Sequence, residues 1–185
     1  MIGEHIDYAL FGVFPAAIER DILIALAPRP PNHKPGVTVA NVEPKYTQQT
    51  FTPSRTTASA DARDEDVWLI DINTKELRWD SYVKAGYYVR PWHFYLMGRC
   101  VLTSTSSQGV LNNFFREGTN DPTPVDMLVS GIVPAGSGLS SSAAMVVAST
   151  LGFLAVNDNL DGMTKGKLVE IAVANEKRVG VHSGG

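Results

Sequence analysis

The distribution of apolar and polar positions predicts strands in the first part of the chain. Residues 22–27, Ile-Leu-Ile-Ala-Leu-Ala, form a short apolar run that ends at Pro28, which is typical of a buried strand. Residues 37–42 alternate between apolar and polar positions and predict a strand with one solvated face. Residues 43–66 are polar and indicate a long surface segment that can carry a short edge strand. Residues 67–72 fit either a strand or the start of a helix.

Helical patterns dominate the second half of the chain. Residues 79–102 carry apolar side chains at helical spacing and predict a helix that Pro91 kinks or restarts. Residues 125–133 predict a strand that leads directly into a loop rich in glycine and serine. The next residues, 141–156, are small or apolar on nearly every side, which is typical of a buried helix. Thr164 is the expected N-cap of a last helix. Mixed strands and helices around one core predict an α+β fold.

Composition and charge exclude several classes of protein. The 185 residues are 44% apolar and 19% charged, which is ordinary for a globular chain with a core. A net charge of −3 gives no basic surplus for nucleic acid or an anionic membrane surface. No apolar run approaches the ~20 residues of a membrane span, and no signal peptide is visible. The single cysteine, Cys100, excludes an intramolecular disulfide. We therefore expect a cytoplasmic protein without nucleic-acid or membrane partners.

The strongest chemical signal lies at residues 133–144, Val-Pro-Ala-Gly-Ser-Gly-Leu-Ser-Ser-Ser-Ala-Ala. Gly136 and Gly138 allow positive φ and a close approach of backbone amides to an anion. The helix that begins among the serines adds unpaired N–H groups and the positive end of its dipole. The spacing is not that of a Walker loop. The segment predicts a phosphate-binding loop, and the alternative is an ordinary strand–turn–helix corner with serine caps.

A second polar cluster stands near the first residue. Glu4, His5 and Asp7 place two carboxylates and an imidazole within four positions. Carboxylates accept hydrogen bonds from sugar hydroxyls, so the cluster predicts a sugar-binding site. A polar surface loop is the alternative, and the spacing fits no familiar zinc or iron site.

Glu176 is the third candidate. It follows Ala172 by four residues and therefore shares that residue's inward helical face. A carboxylate at the end of a helix meets the negative end of the dipole, so a positive partner is expected. Lys177 or Arg178 can supply that charge, and so can a Mg²⁺ ion held beside a nucleotide.

Three segments carry a resemblance to a known family. Residues 2–8, Ile-Gly-Glu-His-Ile-Asp-Tyr, resemble the signature of the galactokinases, which are members of the GHMP kinases. Residues 136–143 resemble the phosphate loop shared across the GHMP kinases. Glu176 and the glycines after it resemble the approach to the family's catalytic aspartate. The resemblance covers essentially the whole chain and implies an α+β GHMP N-terminal domain, similar to domain 2 of ribosomal protein S5, with a mixed sheet and helices packed on one face.

The resemblance also implies roles for individual residues. The sugar contacts it implies are Glu4, His5, Asp7 and Gly184. The ATP contacts it implies are Gly136, Ser137, Gly138, Leu139, Ser140, Ser141, Ser142 and Trp79, with Tyr82 as a looser match near the adenine. The Mg²⁺ ligands it implies are Ser142 and Glu176.

The reaction that the resemblance implies is the phosphorylation of galactose by ATP at the anomeric hydroxyl, which gives galactose 1-phosphate. The family places its catalytic aspartate just after the last glycines and its charge-stabilising arginine just before the first motif. Both positions fall outside residues 1–185, as does the family's C-terminal domain. We therefore expect an N-terminal domain truncated at both ends, with negligible turnover alone. The alternatives are an N-acetylgalactosamine kinase, a regulatory protein that responds to sugar and ATP, and an inactive fragment.

Overall fold

A computed structural model of the chain describes residues 16–30, 32–56, 67–73, 75–76, 78–87, 121–176 and 179. Six strands and three helices lie within these ranges. The strands are β1 (Ile22–Pro28), β2 (Val37–Asn41), β3 (Gln49–Phe51), β4 (Ser54–Thr56), β5 (Val67–Leu69) and β6 (Val125–Gly131). The helices are α1 (Trp79–Tyr87), α2 (Ser141–Val156) and α3 (Lys165–Glu176). The predicted α+β class is confirmed.

Four strands form a mixed sheet in the order β1-β6-β2-β3. Strand β6 pairs antiparallel with β1 and parallel with β2, while β3 pairs antiparallel with β2. The alternation along β6 buries Val125, Met127 and Val129 in the core and exposes Leu128 on the other face. The core forms where these inward side chains meet Phe153 and Leu154 of α2.

The first strand differs from its prediction. Residues 22–27 do form a strand, but β1 lies at the edge of the described sheet and is not wholly buried. Ile22, Ile24 and Leu26 pack toward the core, whereas Leu23 on the opposite face is exposed. The apolar run indicated burial on both faces, but the described helices cover only one face of this sheet.

Most other predicted elements are confirmed. Strands β2 and β6 form as expected, and α2 has the predicted bounds. The surface segment carries the short edge strand β3, and residues 67–69 resolve to a strand, β5, that pairs with β4. Thr164 caps α3, since its Oγ1 accepts a hydrogen bond from the Lys167 amide at 3.2 Å. The predicted helix over 79–102 begins at Trp79, and its continuation past Tyr87, with Pro91, lies outside the described residues.

The helices are arranged so that three helix ends meet. Helices α1 and α2 run parallel, because the Tyr87 ring stacks on Phe153 at 3.8 Å and Thr150 Oγ1 donates to the Gly86 carbonyl at 3.1 Å. Helix α3 runs antiparallel to α2, so that its last residue, Glu176, reaches the first turn of α2. The starts of α1 and α2 and the end of α3 therefore lie at the same end of the helical layer. Among the described helices, none is long and apolar enough to cross a membrane.

Candidate functional site

The loop between β6 and α2 has a backbone suited to anions. Gly136, Gly138 and Ser140 have φ values of 70°, 72° and 54°, so that every second residue is left-handed. Left-handed residues that alternate with residues of negative φ favour a turn in which successive backbone N–H groups face one side, where an anion can bind. Ser137 Oγ closes the turn by donating to the Pro134 carbonyl at 2.7 Å. Residues 134–137 are all exposed, so this part of the loop is accessible to a ligand.

The start of α2 adds further donors. The first helical hydrogen bond runs from the Ala144 amide to the Ser140 carbonyl at 3.0 Å. The amides of Ser141, Ser142 and Ala143 precede that bond and have no acceptor within their own helix. Ser140 occupies the N-cap position but makes no capping hydrogen bond with its side chain, and the first turn contains no acidic residue. No acidic residue of α2 itself therefore neutralises the positive end of its dipole, which favours a nearby anion.

Glu176 meets this helix start directly. Ser142 Oγ donates a hydrogen bond to Glu176 Oε1 at 2.8 Å, and Glu176 is only 3% exposed. The positive partner expected for this carboxylate is therefore, in the described residues, the N-terminus of a neighbouring helix together with a serine hydroxyl. Lys177 and Arg178, the partners proposed from the sequence, lie outside the described residues. Two of the three predicted features, the serine loop and the late glutamate, are adjacent in space.

Tyr82 lies beside the same carboxylate. Its half-buried ring packs, with Val147, against a small cluster that includes Ala85 and Ala172. Burial, and then the negative charge of Glu176, raise the pKa of the Tyr82 phenol above its ordinary value of 10. The hydroxyl therefore stays protonated at neutral pH and can serve as a hydrogen-bond donor.

Trp79 stands at the start of α1 and contacts a second aromatic residue. Its ring centroid lies 5.8 Å from that of Tyr46, with the planes tilted by 48°. Trp79 Nε1 is buried and has no hydrogen-bond partner in the part of the chain that the structure describes. The sequence analysis missed Tyr46, which belongs to the polar segment interpreted as surface. Nothing in its local pattern indicates a contact with a residue 33 positions later.

The sugar-binding prediction falls on residues that the structure does not describe. Glu4, His5, Asp7 and Gly184 all lie outside the described ranges, as does Cys100. Within those ranges, no group of three or more His, Cys, Asp or Glu side chains is placed to hold a metal ion. The roles of the four sugar residues stay predictions.

Two family models match the chain. The galactokinase galactose-binding signature matches residues 1–28, which include the acidic cluster. The N-terminal domain of the GHMP kinases matches residues 106–185, which include the β6–α2 loop and Glu176.

Whole-chain similarity to several galactokinases agrees with these matches. The galactokinase of Schizosaccharomyces pombe is 31% identical over 186 residues, and that of Saccharomyces cerevisiae is 33% identical over 187 residues. Both alignments cover 100% of this chain and 30% of the relative. The galactokinase of Candida maltosa is 32% identical over 185 residues, which are 100% of this chain and 69% of that protein. The chain thus spans 30% of the length of the first two relatives.

Proposed function

The chain belongs to the galactokinase family, and from that premise we propose that its β6–α2 loop binds the phosphates of ATP for phosphoryl transfer to galactose. The products of the proposed reaction are galactose 1-phosphate and ADP. The anomeric hydroxyl attacks the terminal phosphorus in line and gives its proton to a general base, while the bond between that phosphorus and the bridging oxygen of ADP breaks. Phosphoryl transfer depends mainly on positioning and on stabilisation of charge. The described residues contribute to both.

The observation that carries this proposal is the convergence at the start of α2. Left-handed residues at positions 136, 138 and 140 favour a turn whose backbone amides face one side, and the first turn of α2 adds unpaired amides and the helix dipole. An anion with several negative oxygens, such as a triphosphate, satisfies these donors together. In the alternative, an ordinary strand–turn–helix corner, the serines would cap the helix. Ser140 stands at the N-cap position but its side chain makes no capping hydrogen bond.

Ser142 and Glu176 fit a Mg²⁺ ion that accompanies the nucleotide. Both offer oxygen atoms, which Mg²⁺ prefers, and waters and phosphate oxygens would complete its coordination. Two oxygen ligands from the protein are therefore sufficient to hold a Mg²⁺ ion beside the nucleotide. The bound ion would neutralise part of the phosphate charge. The hydrogen bond between Ser142 and Glu176 holds both oxygens at the mouth of the loop.

We assign the sugar to Glu4, His5, Asp7 and Gly184, which the family's galactose-binding signature supports for the first three. The carboxylates of Glu4 and Asp7 can each accept hydrogen bonds from sugar hydroxyls. N-acetylgalactosamine stays an alternative to galactose. The assignment of residues 1–185 to a single N-terminal domain and the cytoplasmic location also stay predictions.

Binding of Mg·ATP to the 185-residue chain tests the proposal. Calorimetric titration of the wild type should give saturable binding, and Ser142→Ala should weaken it by roughly tenfold, because the variant loses one oxygen ligand and the orientation of Glu176. Ser54→Ala, which changes an exposed serine in β4, is the matched control and should bind as the wild type does. A folded wild-type chain that fails to bind Mg·ATP would contradict the proposal.

A further inference from the structure

We propose that Tyr46 is a positioning residue for the nucleobase of ATP, because its ring holds the Trp79 indole in the plane on which the base stacks. The inference rests on the proposed function and on the predicted contact between Trp79 and the nucleotide. It adds a residue from a distant part of the chain that neither the sequence motifs nor the family matches assign.

Local structure fixes the position of the Tyr46 ring. Glu43 and Tyr46 form the ends of a tight turn, in which the Tyr46 amide donates to the Glu43 carbonyl at 3.1 Å. Pro44 occupies the second position of this turn, where its fixed φ is already suitable. Asn41 Oδ1 accepts a hydrogen bond from the Glu43 amide at 2.9 Å and ties the turn to the end of β2. The exposed Lys45 places its ammonium 5.0 Å from the centre of the Tyr46 ring.

A neighbouring ring can contribute to the orientation of the Trp79 indole. A buried indole N–H usually has a hydrogen-bond acceptor that sets the ring orientation. Trp79 Nε1 has none among the described residues, and there the indole is held by packing against the core and by its contact with Tyr46. The backbone beneath it is held independently, because the buried Asp80 carboxylate contacts Arg78 at 3.2 Å and Lys84 at 3.1 Å. The indole also packs against the main core, and the Tyr46 ring, at 5.8 Å between centroids, adds an aromatic contact that constrains the indole plane.

The aromatic pair lies at the end of the molecule where the phosphates are proposed to bind. Helices α1 and α2 run parallel with Gly86 beside Thr150, so that the start of α1 is level with the first turn of α2. Tyr82, one turn after Trp79, lies within the electrostatic reach of Glu176, which in turn bonds Ser142. A purine stacked on the indole would offer its aromatic face there, and its ribose and phosphates would extend toward the loop.

The test compares two probes on the full 185-residue chain, Mg·ATP and the magnesium complex of inorganic tripolyphosphate. The second probe carries the phosphates without a base. Tyr46→Ala should weaken ATP binding by about tenfold, in keeping with the loss of an aromatic group that supports base stacking. The same variant should leave tripolyphosphate binding unchanged. Tyr46→Phe keeps the ring and should restore ATP affinity, whereas Tyr46→Leu keeps bulk without a ring and should not.

A spectroscopic readout separates positioning from general loss of structure. The near-ultraviolet circular dichroism of the Trp79 indole is obtained by subtracting the spectrum of Trp79→Phe. Tyr46→Ala and Tyr46→Leu should change this signal, while Tyr46→Phe and the control Val42→Ala, an exposed residue of the same connection, should keep it.

The possible failures are distinguishable. If tripolyphosphate and ATP both fail to bind the folded wild type, the phosphate loop assignment is wrong and this inference is wrong with it. If tripolyphosphate binds and Tyr46→Ala leaves ATP affinity unchanged, or weakens both probes equally, only the role of Tyr46 is overturned. That role is also overturned if Tyr46→Leu restores ATP affinity as well as Tyr46→Phe does.

Discussion

At the scale of single residues, the environment of Glu176 is the most informative feature of the molecule. A carboxylate in the last turn of a helix faces the negative end of its own dipole. Here the first turn of α2 and the Ser142 hydroxyl offset that placement. The carboxylate is almost wholly buried, so it interacts with these partners rather than with solvent. A buried carboxylate beside the proposed phosphate loop fits the proposal that a metal ion accompanies the nucleotide there.

Replacement of this carboxylate should separate its structural role from its role in metal binding. Glu176→Gln keeps an oxygen that accepts the Ser142 hydrogen bond, so the free energy of unfolding should change by less than about 1 kcal/mol. Mg²⁺ should no longer strengthen ATP binding, because the charged ligand is lost. The measurements are ATP titrations with and without Mg²⁺, together with urea unfolding.

Glu176→Ala is the companion variant. It leaves the Ser142 hydroxyl without its acceptor and opens a small cavity, so it should lower the free energy of unfolding by about 1–3 kcal/mol. A Glu176→Gln chain that still binds ATP more tightly with Mg²⁺ than without it would show that this carboxylate is not a metal ligand.

At the scale of elements, the close packing of α1 on α2 determines the position of the candidate site. The helices approach at Gly86, where an added Cβ would overlap the Ser149 side chain and come within 2.9 Å of the Thr150 backbone nitrogen. The same contact lets Thr150 Oγ1 bond the Gly86 carbonyl. Because the two helices run parallel, their approach at Gly86 decides how near Tyr82 and Trp79 come to the first turn of α2.

Two glycine-to-alanine variants should therefore have opposite effects. Gly86→Ala should lower the free energy of unfolding by about 1–3 kcal/mol, since the added methyl group forces the helices apart. Gly166→Ala, in the exposed first turn of α3, has open space around the new Cβ and should raise stability by up to about 1 kcal/mol. Thermal and urea unfolding measure both. If Gly86→Ala were as stable as the wild type, the helices would not be packed as closely as described.

At the scale of the whole molecule, the core that joins the sheet to the helices contains a fully buried tyrosine. Tyr87 is 1% exposed and stacks on Phe153, with Phe51 of the sheet at its edge. Burial raises the pKa of its phenol far above the ordinary value of 10. The pKa of the half-buried Tyr82 phenol is also raised, by a smaller amount.

Stability should consequently fall at alkaline pH. Above pH 10 the unfolded tyrosine ionises while the folded one keeps its proton, so the folded state binds more protons and rising pH favours unfolding. The slope is at most about 1.4 kcal/mol per pH unit for each such tyrosine. Tyr87→Phe should flatten the decline between pH 10 and 12, and Tyr82→Phe should flatten it less. An identical decline in Tyr87→Phe would show that another group is responsible.

Local sequence determined the parts of this protein that depend on neighbouring residues. The glycine and serine pattern of the loop, the bounds of α2 and the Thr164 cap could all be predicted, because backbone conformation and capping act within one turn of chain. The apolar run of β1 could be predicted as a strand. Its place at the sheet edge could not, since edge or centre depends on which strands pair beside it.

Tertiary structure alone decided which distant residues meet. Ser142 and Glu176 stand 34 positions apart, and the antiparallel packing of α2 and α3 brings the hydroxyl to the carboxylate, a contact that no local pattern specifies. The contact of Tyr46 with Trp79 arises in the same way, from a turn and a helix that are distant in the chain. Residues 67–69 became a strand because β4 supplied a partner. Local sequence preference determines whether a segment forms a helix or a strand. Packing of its apolar face against other elements determines which distant residues its polar groups contact.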